Sequence, residues 1–421
     1  MTLFAVEGVA GSGKTFRLME ALGEALAIAP LREGQRVLAV TFMHGARRRL
    51  NETLRDVAGI SGRFECMTVD SFAWRLLRRW RGLAAALGVL PAREDQYDAQ
   101  CDGAGALLER PEVRGWAATS FPIIVVDEAQ DLKPQRLRMI RALTESARTL
   151  IAADEFQCLD AALRPNPLIA WLHQAGRPEL LTQVRRTRVP ALLTAATAIR
   201  GGAAAVAGQG FQIMTAQGVP MAAADLANAI AWRRGGKVAV ITPSLRGNFA
   251  RDVVQRVCQQ ACGKQGNGPY AIRWERSEGD EVAALIEGLN LGANSPMAET
   301  LAALGCLPRS GAVRATGVWV RHQARAAGRT EFSRVEIEEI IARQVATRRQ
   351  RYGADNYEFT SMTVQQAKNR EFDGVFILWP YQVGGDAEHK RRLLYNAVTR
   401  AQRWCTIVVQ GPELLQGAPF G

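Results

Sequence analysis

Histidine is scarce in this chain, with 4 copies in 421 residues, and its 7 cysteines are scattered. Cys66, Cys101, Cys158, Cys258, Cys262, Cys306 and Cys405 form neither a disulfide framework nor a zinc-ligand spacing. Cys258 and Cys262 stand one helical turn apart, which suits packing better than metal binding. Unpaired thiols fit a reducing compartment, so a cytoplasmic location is expected. Apolar runs of membrane-spanning length are missing, and no signal-peptide layout precedes the first apolar stretch; no membrane partner is expected. Acidic residues are in deficit, 41 against 53 basic ones, for a formal net charge of +12 and a pI near 9.8. Such an excess of positive charge favours a polyanionic partner.

What is present begins almost at the first residue. The apolar run Leu3 to Glu7 leads into Gly8-Val9-Ala10-Gly11-Ser12-Gly13-Lys14-Thr15, a full G-x-x-x-x-G-K-T match, and a helix-forming run from Phe16 to Ala27 follows. In such a loop Gly8, Gly11, Ser12 and Gly13 let backbone N–H groups curl around phosphates at a helix N-terminus. Lys14 is placed to reach the β- and γ-phosphates, and the Thr15 hydroxyl to ligate Mg²⁺. A chance glycine-rich turn lacks this strand-and-helix context, so a nucleoside triphosphate site is expected. Beside it, three arginine clusters gain meaning: Arg75, Arg78, Arg79 and Arg81; Arg321, Arg325 and Arg329; Arg343, Arg348, Arg349 and Arg351. Each alone reads as a solvated helix face, whereas three beside a nucleotide site favour nucleic acid.

A hydrophobic content of 48% supports globular domains, and the length allows more than one. Short β-branched runs at Val37 to Phe42, Ile123 to Asp127, Thr149 to Ala152, Val238 to Thr242, Val375 to Leu378 and Cys405 to Val409 alternate with helical stretches. That alternation describes parallel sheets wound on both faces. The runs fall into two groups, with helical, strand-poor stretches at 81–119 and 287–350. Ile123 to Asp127 is an apolar strand ending in Asp127 and Glu128. A strand end beside a phosphate loop lets Asp127 hold Mg²⁺ through water and Glu128 accept a proton from the attacking water.

The order of motifs resembles the superfamily 1A helicases of the UvrD/Rep/PcrA group over almost the whole chain. After the phosphate loop, Val40 to Ala46 is similar to motif Ia and Thr68-Val69-Asp70-Ser71-Phe72 to motif Ib. Asp127-Glu128-Ala129-Gln130-Asp131 resembles motif II, Ala153 to Gln157 motif III, and Leu181 to Thr187 motif IV. Thr363 to Phe372 is similar to motif V, and Arg391 to Ala401 closely resembles motif VI. The resemblance implies an α/β fold of two RecA-like parallel-sheet lobes with short helical insertions. The first lobe would run 1–180 with its insertion at 81–119, the second 181–421 with a reduced insertion at 287–350.

The same resemblance implies the roles. Gln157 would sense the γ-phosphate, and Arg186 and Arg400 would reach across the cleft as arginine fingers; with Glu128 these form the expected catalytic set. Arg185 would stack on the base and Glu371 contact the sugar. Thr41, Thr68, Ser71 and Thr363 would hold the phosphates of single-stranded or tailed duplex DNA, with Phe42 and Phe72 as stacking surfaces; both phenylalanines suit a core equally well. The implied activity is ATP- and Mg²⁺-dependent 3′ to 5′ movement on single-stranded DNA with strand separation. An alternative is an ATP-gated regulatory subunit with little unwinding of its own. Compact chains of this kind resemble helicase subunits of antiphage systems such as Gabija, where a nuclease is the partner. Departures from the family pattern are the missing glutamine segment ahead of the loop and Arg185 in place of an adenine-stacking tyrosine. Cys158-Leu159-Asp160 stands where motif III is usually aromatic, Asp70 and Gln365 where histidines are usual, and Asn369 where a glycine is usual.

Overall fold

The computed structural model describes residues 3–42, 44–90, 96–232, 235–275, 278–352 and 357–421, without the side chains of 44–46, 278, 346 and 349–352. Met43 and the side chains of 44–46, within the segment Val40 to Ala46, and those of Arg349 and Arg351 therefore lie outside the described residues. Among the described residues, fourteen strands follow in chain order. They are β1 (Leu3–Gly8), β2 (Val37–Thr41), β3 (Phe64–Thr68), β4 (Ile123–Asp127), β5 (Arg148–Ala153), β6 (Glu179–Leu181), β7 (Phe211–Ala216) and β8 (Val238–Thr242). After them come β9 (Arg273–Trp274), β10 (Asn294–Pro296), β11 (Glu331–Ser333), β12 (Phe359–Thr363), β13 (Phe372–Trp379) and β14 (Ala401–Gln410).

Two parallel sheets carry the larger of two compact units, Met1–Ile272 with Glu358–Gly421. The first sheet has the order β3-β2-β4-β5-β1-β6, and the second runs β7-β14-β13-β8-β12. All these neighbours pair in parallel. The pairing follows from sequence: strands β2 and β4 are buried at every position, as a sheet covered on both faces demands. With a period of two, Val37, Ala39, Ile123 and Val125 meet one layer of helices, while Leu38, Val40, Ile124 and Val126 meet the other. On the first side lies the helix Lys14–Ile28, whose Leu18, Met19, Leu22, Ala25 and Leu26 repeat at helical spacing.

The stretch 81–119 is not a separate body. Ala84, Cys101, Ala104, Leu107, Leu108, Val113 and Ala117 from its helices bury in the same core as the sheet residues. In the second lobe, Ala239, Ile241, Val375, Ile377, Ile407 and Val409 pack on the helices Pro190–Gly201 and Ala387–Val398. The strands β3, β7 and β12 escaped the sequence-level expectation because each carries polar or partly exposed residues.

The second unit, Arg273–Tyr357, is wider than the expected 287–350. It holds its own core of Leu285, Leu289, Leu304, Val320, Phe332 and Ile341, and its short strands β10 and β11 pair antiparallel. The helix Glu278–Glu287 supplies Leu285 to that core, which draws the boundary outwards. Among the described residues, no helix is long and apolar enough to cross a membrane.

Candidate active site

The phosphate loop lies at the carboxyl end of β1, where ligands of open α/β sheets bind. Gly13 sits at φ 89° as the residue before the helix Lys14–Ile28, a conformation that opens the helix N-terminus at little steric cost. Gly11 is at φ 76°, and a Cβ there would come within 2.6 Å of Arg186 Cβ, so only glycine admits the segment 182–187 at this distance. That segment is pinned to the loop by the Arg185 N–H, which donates to the Gly11 carbonyl at 2.7 Å. Arg185 also runs past Gly13, its Cδ 3.8 Å from where a Cβ would stand. Alternate residues Thr182, Val184 and Arg186 face the other way and line a cavity of about 260 Å³ with Val9, Ala10 and Tyr395.

Lys14 is buried, and its ammonium donates to the Gly8 and Val9 carbonyls at 2.9 and 3.2 Å. Thr15 Oγ1 donates to Asp127 Oδ2 at 2.9 Å. A hydroxyl and a carboxylate from a strand end are hard oxygen donors of the kind Mg²⁺ takes, so the residues present fit that ion. Burial, and next the charge of Glu128, push the Asp127 carboxyl up to about 6, against the pull of Thr15 and Lys14. Glu128 follows at φ 56°, a left-handed conformation costing a non-glycine residue about 1–3 kcal/mol. Its amide donates to Asp127 Oδ1 at 3.0 Å, and Gln130 Nε2 donates to its carboxylate at 2.6 Å.

Gln130 also accepts from the Asp154 amide at 3.0 Å, which ties the ends of β4 and β5 together. Gln157 donates through Nε2 to Asp154 Oδ2 at 2.8 Å and receives Arg400 Nη2 on Oε1 at 3.4 Å. Arg400 is 1% exposed, held by the Asn396 carbonyl at 2.9 Å and Thr399 Oγ1 at 3.1 Å. Burial, then the neighbouring Arg186 cation, lower its pKa to about 9; Glu128 and Glu371 pull the other way. Arg186 donates to the Thr399 carbonyl at 2.8 Å and pairs with Glu371 at 3.0 Å. Glu371 receives Arg49 and Gln402 as well, each at 2.8 Å. Although burial opposes it, the Arg186 and Arg49 charges hold Glu371 below the usual glutamate range.

Several members of this cluster escaped the sequence reading. Tyr395 accepts the Ala10 N–H at 2.8 Å, so a second-lobe phenol touches the phosphate loop itself. Burial, then Asp154, push its pKa up to about 12. Arg200 binds Asp154 Oδ1 at 2.7 Å, and Lys368 forms a partly buried pair with Asp131 at 2.9 Å. Lys368 and Tyr395 stand inside the quoted motif segments, which was the available signal; Arg200 stands outside all of them.

The expected DNA contacts fare differently. Phe72 is fully buried and packs edge-on against Phe121 at 6.1 Å, which withdraws it as a stacking surface. The reason is periodic: Val69, Phe72, Ala73, Leu76 and Leu77 form the inward stripe of the helix Val69–Arg79. Thr41 is also fully buried, at the end of β2 beside Asp127 in register, so its hydroxyl faces no open surface. Phe42 is half-buried under Arg136 at 5.4 Å. Thr68 caps its helix by accepting from Ser71 N at 3.2 Å, with Ser71 Oγ 2.7 Å away. Thr363 and Gln366 form a reciprocal capping box. Asp70 pairs with Arg136 at 2.8 Å, and Asn369 adopts φ 62°, the left-handed conformation that suits the usual glycine and that asparagine tolerates.

Comparison with known proteins places this geometry in context. Residues 1–223 match the family model described as AAA domain, and residues 358–408 match the model of the UvrD-like helicase C-terminal domain. The curated proteins gave no match. Among solved structures, the chain is similar to a complex of Arterivirus nonstructural protein 10 (helicase) with DNA, at 13% identity and a TM-score of 0.38. The alignment covers 98% of this chain and 62% of that one.

Proposed function

Because this chain belongs to the AAA-domain family and is of the superfamily 1 UvrD helicase type, we propose that it hydrolyses ATP with Mg²⁺ to move 3′ to 5′ along single-stranded DNA and separate strands. The polarity and the choice of DNA come from the family resemblance. One observation carries the reading of the site: Arg400 from the second lobe, buried and cationic at neutral pH, hydrogen-bonds Gln157 of the first lobe beside the phosphate loop.

In this mechanism Lys14 leaves two neutral carbonyls for the β- and γ-phosphates. Thr15 and Asp127 hold Mg²⁺, which when bound neutralises charge on the phosphate oxygens. Glu128 accepts the proton of the attacking water, its carboxylate steadied by Gln130. Gln157 positions that water against the γ-phosphate, and Arg400 and Arg186 stabilise the charge that develops there. Arg186 must first exchange Glu371 for phosphate, which couples cleft geometry to the nucleotide state. Arg185 offers its guanidinium plane to the base, and Glu371 turns towards the sugar once released.

The burial of Thr41, Phe72 and Cys158 favours a second reading, an ATP-gated subunit of a nuclease complex that unwinds little by itself. ATP hydrolysis with and without single-stranded DNA, followed by displacement of a tailed duplex, separates the two. DNA-stimulated turnover with unaided displacement supports the motor, and stimulation without displacement supports the subunit. Turnover that survives Lys14→Ala or Glu128→Gln in pure protein would sink both.

A further inference from the structure

The Asp154 side chain is fully buried, and an ionised carboxylate there needs a counter-ion. Among the described residues, two cations approach it. Arg200 Nη1 lies 2.7 Å from Oδ1, a charge-assisted hydrogen bond, whereas Lys14 Nζ stands 3.8 Å from Oδ2, beyond hydrogen-bond reach. Asp154 also accepts from Phe156 N on Oδ1 at 3.2 Å and from Gln157 Nε2 on Oδ2 at 2.8 Å. Lys14 directs its protons to the Gly8 and Val9 carbonyls instead, neutral partners that a phosphate outcompetes.

Arg200 is itself well fixed. It sits in the last turn of the helix Pro190–Gly201, where a cation is favoured. Its guanidinium lies 5.3 Å from the Phe156 ring and 5.5 Å from that of Tyr395, and donates to the Tyr395 hydroxyl at 3.3 Å.

We infer that Arg200 is a positioning residue for nucleotide binding: by serving as the counter-ion of Asp154, it keeps Lys14 free for the phosphates. The inference rests on the phosphate-loop reading above and adds a residue outside its motifs. Without Arg200, the buried Asp154 carboxylate has Lys14 as its nearest cation and claims it. Nucleotide then binds only the fraction of molecules in which Lys14 is released, so apparent affinity falls in proportion.

The test is calorimetric titration of the full chain with ATPγS and Mg²⁺. Arg200→Gln is expected to weaken binding about tenfold or more. Arg200→Gln combined with Asp154→Asn is expected to return towards the wild-type affinity, because a neutral amide no longer captures Lys14. A purely structural arginine would not be rescued by losing its partner. Unchanged affinity in Arg200→Gln, or no recovery in the double variant, overturns the inference. If Arg200→Gln does not fold, Asp154→Asn is compared with the double variant; equal affinities support the inference, and a further loss in the double variant refutes it. Wild-type protein that binds no ATPγS would instead bring down the functional reading, a result visible before any variant is made.

Discussion

Arg400→Met separates a catalytic arginine from a structural one, because the two roles predict opposite pairs of results. The side chain is 1% exposed, and its pKa falls from an ordinary 12.5 to about 9, first through burial and then through Arg186. That depression corresponds to about 5 kcal/mol of disfavoured charge at neutral pH. Methionine of similar length removes this burden. It also removes hydrogen bonds to the Asn396 carbonyl, to Thr399 Oγ1 and, at 3.4 Å, to Gln157 Oε1. The Asn396 carbonyl keeps Thr399 Oγ1 as a donor at 3.2 Å, so the loss is about 3–5 kcal/mol rather than the full cost of three orphaned acceptors. The terms nearly cancel, and unfolding free energy should stay within about 2 kcal/mol of wild type. ATP turnover should fall about 10³-fold or more, the worth of an arginine finger. Urea unfolding and steady-state hydrolysis on the same preparation measure both. A loss of stability beyond about 4 kcal/mol with turnover per folded molecule intact would refute the catalytic role.

Asp127, pushed up to about 6, binds more protons folded than unfolded between about pH 4 and 6. Its linkage therefore makes stability fall as pH rises through that window, and Mg²⁺ affinity, which needs the carboxylate, should drop below pH 6. Metal titration at pH 5.5 and 7.5 checks this, and equal affinities would contradict it. Phe72→Ala should cost about 3–5 kcal/mol of stability by denaturant unfolding while leaving the DNA affinity of the folded protein unchanged. A selective loss of DNA binding would restore Phe72 as a contact. Lys368→Met strands the partly buried Asp131 carboxylate and should destabilise by about 1–3 kcal/mol, with most of the loss recovered on adding Asp131→Leu.

How much could be read in advance varied with the range of the interaction. The phosphate loop, the apolar strand before Asp127 and the helix after Thr15 were legible because each rests on contiguous residues with one dominant signal. Strands β7 and β12 were not, since β7 is half-exposed and the buried centre of β12 is largely polar, and neither has the apolar run that marks β2, β4 and β8. Phe72 shows the limit within a motif. A stacking aromatic and a core aromatic share one residue type, and the inward stripe of its helix favoured the core.

Local chemistry in the chain was enough to point to a nucleotide site and to Thr15 and Asp127 as its candidate Mg²⁺ ligands, whereas Arg186 and Arg400 were named only through the family resemblance. The loop needs only the backbone's short-range geometry, glycine's freedom at Gly11 and Gly13, and a strand end. Which cation neutralises Asp154, that Tyr395 touches Ala10, and that Arg400 is dry depended on folding. Each joins residues separated by tens to hundreds of positions, and burial at their meeting point sets the strength of every charge involved.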